Sequence, residues 1–292
     1  MKKLYFLFVF SLSMVFSYAQ QSKPFSEAPN NAFINSEAFK YLPVTQNDEE
    51  MYVYLNSDVR AKKEQVDHVY CINKENLTTK DISVQVPKNY SFVYAINHGD
   101  AITAFYLLDD SKTDIMALMS AEIDKNSTMA TIKGEQLVSF HTENRDWPTI
   151  WTSTSPDGQK CAISFMILDK KSSFKNLYMV VMDNSGQVLW QKEVNPSFSG
   201  PDFSIEDFQV DNQGNVYMPA YSLVAKGARS NSEFFHLIQV TAEDMSMNTE
   251  PVSYGFIHSL KAKVLKTGEV MVAGYYADNA KSTSNDNGFL FY

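Results

Sequence analysis

The chain has 292 residues, 44% hydrophobic and 20% charged, the composition of a packed globular protein, which excludes a disordered one. Its 25 basic and 34 acidic residues give a formal charge of −9, so it lacks the positive field of a nucleic-acid binder. Gly 11 and Pro 10 are too few for a collagen-like or linker protein, and Phe 20, Tyr 16 and Trp 3 favour strands.

The first element is a targeting signal. Met1-Lys2-Lys3 is a positive start, residues 4–16 are apolar except for Ser11 and Ser13, and Ser17-Tyr18-Ala19 supplies small residues before Gln20. This three-part pattern predicts a signal peptide over 1–19, cut after Ala19. The alternative, a membrane anchor, needs ~20 apolar residues, and the run falls short. No Cys follows the cut, which disfavours a lipid anchor. Without Lys2 and Lys3 the mature chain has 23 basic against 34 acidic residues, a charge of −11. No later stretch reaches 18 apolar residues, so we expect a soluble protein, secreted or periplasmic, without a membrane span.

Residues 20–38 form an N-terminal segment with weak strand character at Ala32-Phe33-Ile34. From residue 39 onward one grammar recurs: an apolar strand, a tight polar turn with glycine, a second apolar strand. A weak copy spans 39–86, with EEMYVYL, DHVYCIN and LTTKDISVQV as its second to fourth strands. In 87–141 the first hairpin is SFVYAIN-HGD-AITAFYLL, and a second is expected over 114–132. In 142–196 the pair is TIWTSTS-PDG-QKCAISFMIL and NLYMVVMD-NSG-QVLWQKEV. In 197–254 it is SIEDFQV-DNQG-NVYMPAYSL and EFFHLIQV-TAEDM-SMNTEPVSY. In 255–292, IHSLKAKVL-KTG-EVMVAGYYA is followed only by NGFLFY, so the fifth unit stops on its third strand. Helical apolar spacing is absent, and only 58–65 (DVRAKKEQ) could form a short helical turn.

The turn glycines Gly99, Gly158, Gly214 and Gly268 are 59, 56 and 54 residues apart. Glycine accepts positive φ without steric cost, which suits such turns. Two hairpins per period make four antiparallel strands per repeat. The predicted fold is therefore all-β, a β-propeller of four-stranded antiparallel blades, with about five units visible and the last incomplete. DNQGNVYMPAY and KTGEVMVAGYY resemble the turn-plus-strand core of secreted bacterial β-propeller repeats of the SBBP type, and SPDGQKCAISF resembles the turn of TolB-like propellers. The resemblance covers about 200 residues as a pattern and implies fold and export. Those families include carriers, scaffolds and enzymes, so it implies no activity. The unfinished fifth unit leaves two expectations. Further blades follow Tyr292 and the arc is open with an exposed apolar edge, the reading we favour, or residues 24–38 pair with NGFLFY and close a five-bladed ring.

Propeller geometry puts the glycine turns on one face. The longer loops 56–66, 109–113, 169–175, 224–232 and 278–287 fall on the other, with the connections 141–148 and 195–203. Long loops on a rigid scaffold are where binding resides. These hold the candidate binding residues Arg60, Arg145, Trp147, Phe174, Phe203 and Arg229, along with Phe198; Trp and Arg are enriched at binding hot spots. Trp147 could instead pack between blades. Trp151 and Trp190 lie inside strands and read as core. Cys71 and Cys161 sit in apolar segments of different blades and read as two buried free thiols.

No G-x-S-x-G, HExxH, P-loop or dinucleotide fingerprint occurs. The histidines His68, His98, His141, His236 and His258 are scattered, and only His258 falls on an expected inner strand. A propeller glycosidase needs carboxylates from different inner strands, ~5–9.5 Å apart. The expected inner strands are 39–45, 90–97, 149–155, 204–210 and 257–265, and only 204–210 contains acids, the adjacent Glu206 and Asp207. Catalytic residues, a metal and a cofactor are therefore not assigned. The sequence reads as a secreted non-enzymatic module binding a protein or other extracellular ligand. A propeller hydrolase or oxidoreductase with an axial site, or a surface-display repeat of a longer protein, remain the alternatives.

Overall fold

The computed structural model describes residues 39–46, 49–57, 65–110, 113–141, 148–168, 174–194, 203–223, 233–252, 256–277 and 288–291. Among them the chain is all strand and turn. The first sheet takes β1 (Phe39–Gln46), β2 (Glu50–Ser57), β3 (Gln65–Asn73) and β4 (Thr79–Val86) in that order. The second takes β5 (Tyr90–His98), β6 (Ala101–Asp110), β7 (Ile115–Asp124) and β9 (Glu135–His141). The third is β10 (Thr149–Thr154), β11 (Lys160–Leu168), β12 (Phe174–Asp183) and β13 (Val188–Val194). In the fourth, β14 (Phe203–Ile205) and β15 (Gln209–Val210) share one edge of β16 (Val216–Leu223), followed by β17 (Glu233–Val240) and β18 (Met245–Val252). The fifth is β19 (Phe256–Val264), β20 (Val270–Ala277) and β21 (Gly288–Phe291). Successive strands within each sheet pair antiparallel.

The turns explain the hairpins. Gly158, Gly214 and Gly268 close equivalent first-to-second-strand turns with φ of 71°, 90° and 91°. In each, the glycine N–H donates to the carbonyl three residues back: Ser155, Asp211 and Leu265. Gly186 does the same onto Asp183 in the β12–β13 turn, at φ 87°. Asp183 and Asp211 reinforce their turns, each accepting from backbone N–H groups two and four residues on.

Alternation places one apolar face of each sheet against the next. Four cores result. Tyr52, Tyr54, Val69 and Ile82 pack on Ile102, Ala104, Tyr106 and Ile123 between the first and second sheets. Phe105, Leu107 and Leu118 pack on Ile163, Phe165 and Val180 between the second and third. Leu177, Met179 and Val181 meet Val216, Met218 and Ile238 between the third and fourth. Phe235 meets Ile257, Leu260 and Val272 between the fourth and fifth. First strands are also stitched sheet to sheet. Tyr94 OH bonds Thr154 Oγ1 at 2.6 Å, Val210 N donates to Ser153 Oγ at 3.1 Å, and Ala262 N donates to Asp207 Oδ2 at 2.9 Å. Face-to-face sheets with neighbouring first strands define a β-propeller.

Two expectations are corrected. The second hairpin of the second unit does not end at residue 132. Its fourth strand is β9, and β8 (Met129–Thr131) crosses back to pair parallel with β4, as Ser83↔Met129, Val84↔Ala130 and Gln85↔Thr131. Burial of Ile132 in the first inter-sheet core fixes this excursion, which also covers the outer edge of the first sheet. The expected inner strand 204–210 is broken at 206–208. Asp207 turns out of the ladder, accepting from Phe208 N at 2.9 Å and from Ala262 N of the next sheet.

Among the described residues the fifth sheet has three strands, as expected from its sequence. Among the described residues no apolar core joins it to the first sheet. Residues 24–38 and 58–64 lie outside the described residues, and with them fall the segment expected to close a five-bladed ring and most of the expected helical turn.

Candidate binding face

The two ends of the propeller differ in chemistry. At the end with the glycine turns, polar side chains are spent on their own turns. Asp157 Oδ1 takes Ser155 Oγ at 2.6 Å and Gln159 N at 3.0 Å. Burial alone would raise the Asp183 carboxyl, yet hydrogen bonds from Ser185 and Gln187 and nearby His98 hold it below the usual range. Buried Asp211 accepts from Gln213 N, Asn215 N, Asn215 Nδ2 and Tyr217 OH. Turns also bond to one another: across sheets, Asn212 Oδ1 accepts from Asp157 N, and within the third sheet Asn184 Nδ2 donates to Gln159 Oε1.

At the other end, two polar clusters sit beneath the long connections. The first lies between the first and second sheets. Tyr54 OH donates to Asp67 Oδ2 at 2.6 Å and contacts Tyr106 OH at 3.1 Å. Gln65 Nε2 bridges Asp67 Oδ1 at 2.9 Å and Asn56 Oδ1 at 2.6 Å. Asp67 is 1% exposed, and both tyrosines are fully buried. Alternation produces the placement: Asp67 is two residues from Val69 on β3 and shares its inward face. Burial, then neighbouring Tyr106 and Asp67, push the Tyr54 hydroxyl well above its ordinary pKa. Burial does the same to Tyr106.

The second cluster spans three strands of the fourth sheet. Ser222 Oγ on β16 lies 2.8 Å from His236 Nε2 on β17, and His236 Nδ1 lies 3.0 Å from Thr249 Oγ1 on β18. His236 is buried, and burial lowers its pKa, so it is neutral at pH 7. A neutral imidazole can accept from one hydroxyl and donate to the other. Sequence reading missed both clusters, because apart from Gln65 and Asp67 their partners are 9 to 52 residues apart and meet only through strand register and sheet packing.

Of the residues singled out for binding, Arg60, Arg145, Trp147 and Arg229 lie outside the described residues, as does Phe198. Phe174 and Phe203 open β12 and β14 at the long-connection end, opposite Leu168 and Ser222; their side chains are outside the description. Trp151 and Trp190 pack on the third core, and the Trp190 indole donates to Gly214 O at 3.0 Å. Cys71 and Cys161 are buried free thiols. Burial pushes the Cys71 thiol up to about 11. His98 is the last residue of β5, so it too lies on an inner strand, unlike the sequence assignment. Glu206 accepts from Ser204 Oγ at 2.6 Å, and Asp207 is held by Ala262 N with Lys261 Nζ at 3.8 Å. Among the described residues no three His, Cys, Asp or Glu side chains gather into a metal site.

No protein-family model matches this chain, and no curated protein matches it. It is similar to several solved structures. The β-propeller domain of the Trilobed protease from Pyrococcus furiosus is 11% identical with a TM-score of 0.48, over 89% of this chain and 69% of that one. An acylaminoacyl peptidase from Pyrococcus horikoshii is 13% identical with a TM-score of 0.44, over 87% of this chain and 38% of that one. A GH43 endo-arabinanase from Bacillus licheniformis is 10% identical with a TM-score of 0.36, over 88% and 94%. Likeness at this level carries nothing about activity. The sheets and their packing make the chain a β-propeller, and chemistry must be argued from its own residues.

Proposed function

We propose that the chain is an exported, non-enzymatic binding or scaffold propeller of the SBBP or TolB-like kind, engaging an extracellular protein or other ligand through its long-connection face. The difference between the two ends supports this reading. Asp157, Asp183 and Asp211 at the glycine-turn end are committed to their own turns, whereas the long-connection end is rooted on two buried polar clusters. A rigid scaffold beneath long loops is where binding residues concentrate. In this reading Arg60, Arg145, Trp147, Phe174, Phe203 and Arg229 make the contacts. Capture from the culture medium and envelope of the source cells tests it, using mature protein beginning at Gln20. Arg145→Glu with Trp147→Ala should lose the partner, and Gln213→Ala, on the other end, should retain it. Equal capture by both would contradict the reading. N-terminal sequencing of the exported protein should begin at Gln20.

The 2.8 Å Ser222–His236 contact favours one second reading, a hydrolase with Ser222 as nucleophile and His236 as base. Labelling of Ser222 by a fluorophosphonate, lost in His236→Gln, would favour the hydrolase over the binding module.

A further inference from the structure

The grooves between the outer strands of neighbouring sheets are not filled alike. Between the first and second sheets lies β8, parallel to β4, with Ala130 and Ile132 turned into the core. Between the third and fourth sheets, two side chains of β13 reach across. The Trp190 indole donates to Gly214 O and the Lys192 ammonium to Thr241 O, both at 3.0 Å. Between the second and third sheets neither device is present among the described residues. A cavity of about 270 Å³ stands there instead, lined by Val138 and Ser139 of β9, Tyr178 of β12, and Gln191 and Glu193 of β13.

Strand register decides which side chains face this groove. Val138 lies opposite Leu118, whose side chain belongs to the core between these two sheets. Tyr178 and Val180 pack in that same core and lie opposite Glu193 and Gln191. Glu135 lies opposite Ser120, two residues from Leu118, so it shares the face. Lys192 turns the other way, toward the fourth sheet. The charged side chains of β9 and β13 that face the groove are therefore acidic, Glu135 and Glu193, and neither has an ion pair among the described residues. β9 is also the last strand of its sheet, so its outer backbone edge borders the cavity.

We propose that this groove takes an extended segment of a partner protein, which adds in parallel to the outer edge of β9 as β8 adds to β4. Two alternate side chains of the segment, small or branched and apolar, sit over Val138 and Tyr178, as Ala130 and Ile132 sit in the neighbouring groove. A lysine or arginine of the segment meets Glu193. An added strand draws affinity from main-chain hydrogen bonds and specificity from pockets for alternate side chains. The acidic edge suits a cationic partner and opposes a second copy, because pairing β9 with β9 brings like charges together. The groove lies between two sheets whose neighbours on both sides are described, at the side of the propeller. The inference is therefore independent of the loop-face reading.

Nuclear magnetic resonance titration of the isotope-labelled mature chain with an amidated peptide, Ser-Thr-Met-Ala-Thr-Ile-Lys, tests it. This is the sequence of residues 127–133, which supplies β8, and its lysine follows the two inward residues. The expected result is saturable shift change at Val138, Ser139, Gln191 and Glu193. Glu193→Lys should weaken it about fivefold, and replacing the peptide's lysine by glutamate should restore binding to that variant. Glu193 is exposed, so the substitution leaves the fold intact. Absence of shift change at these residues would overturn the proposal. So would change confined to Ser83 and Gln85, which means that the peptide merely replaces β8. Uniformly slow amide exchange over 138–140 before the peptide is added would overturn it too, because a segment of the same chain then covers the edge.

Discussion

Single residues set the turns, and two of them make sharp predictions. Gly214 sits at φ 90°, and a Cβ there would meet Lys160 Cδ at 3.3 Å and Val181 Cγ1 at 3.4 Å. A β-branched side chain resists this φ and also crowds the third sheet. Gly214→Val should therefore lower stability by about 1 kcal/mol or more in denaturant titration. An unchanged midpoint would mean that the turn register is wrong. Tyr106 tests the buried cluster. Its folded-state pKa is raised by burial, so the native state holds the proton after the unfolded chain has released it. Its contribution is complete below the unfolded value of ~10 and is lost as pH rises from there through the raised folded value. Stability should fall steeply above that pH, and Tyr106→Phe should flatten the fall. Parallel profiles for the two proteins would show that Tyr106 is not protected.

At the scale of elements, β8 is the least expected feature. Ser83 N donates to Thr128 O at 3.0 Å and Ile132 N to Gln85 O at 3.1 Å, bonds that exist only if 128–132 lies along β4. The Ser83 amide should exchange slowly, and Ile132→Ala should cost about 2–4 kcal/mol while speeding that exchange. Fast Ser83 exchange in the unmodified protein would remove β8 from the first sheet. Most strands were legible because each sits between a glycine turn and an alternating apolar run. β8 was not, since Met-Ala-Thr is strand-like whichever neighbour it joins and only tertiary packing chooses β4. The break at Asp207 was hidden for the same reason. Its carboxylate reaches a backbone N–H 55 residues away, a partner invisible to local pattern. The candidate site was legible only as a face. Loop length identified that end, but its buried roots at Asp67 and His236 depend on which residues register brings opposite one another.

At the scale of the molecule, order is what matters: among the described residues each sheet packs on its sequence neighbours, with first strands inward. This arrangement turns a repeat of about 55 residues into a scaffold with a turn end and a loop end. A methyl nuclear Overhauser spectrum tests it most directly. It should show cross-peaks between consecutive sheets alone: Ile82 or Val84 with Ile102 or Ile123, Leu107 or Leu118 with Ile163 or Val180, and Val181 or Leu177 with Val216 or Ile238. Cross-peaks that skip a sheet, such as Ile82 with Val181 or Leu118 with Val216, would contradict the propeller and the two-ended function drawn from it.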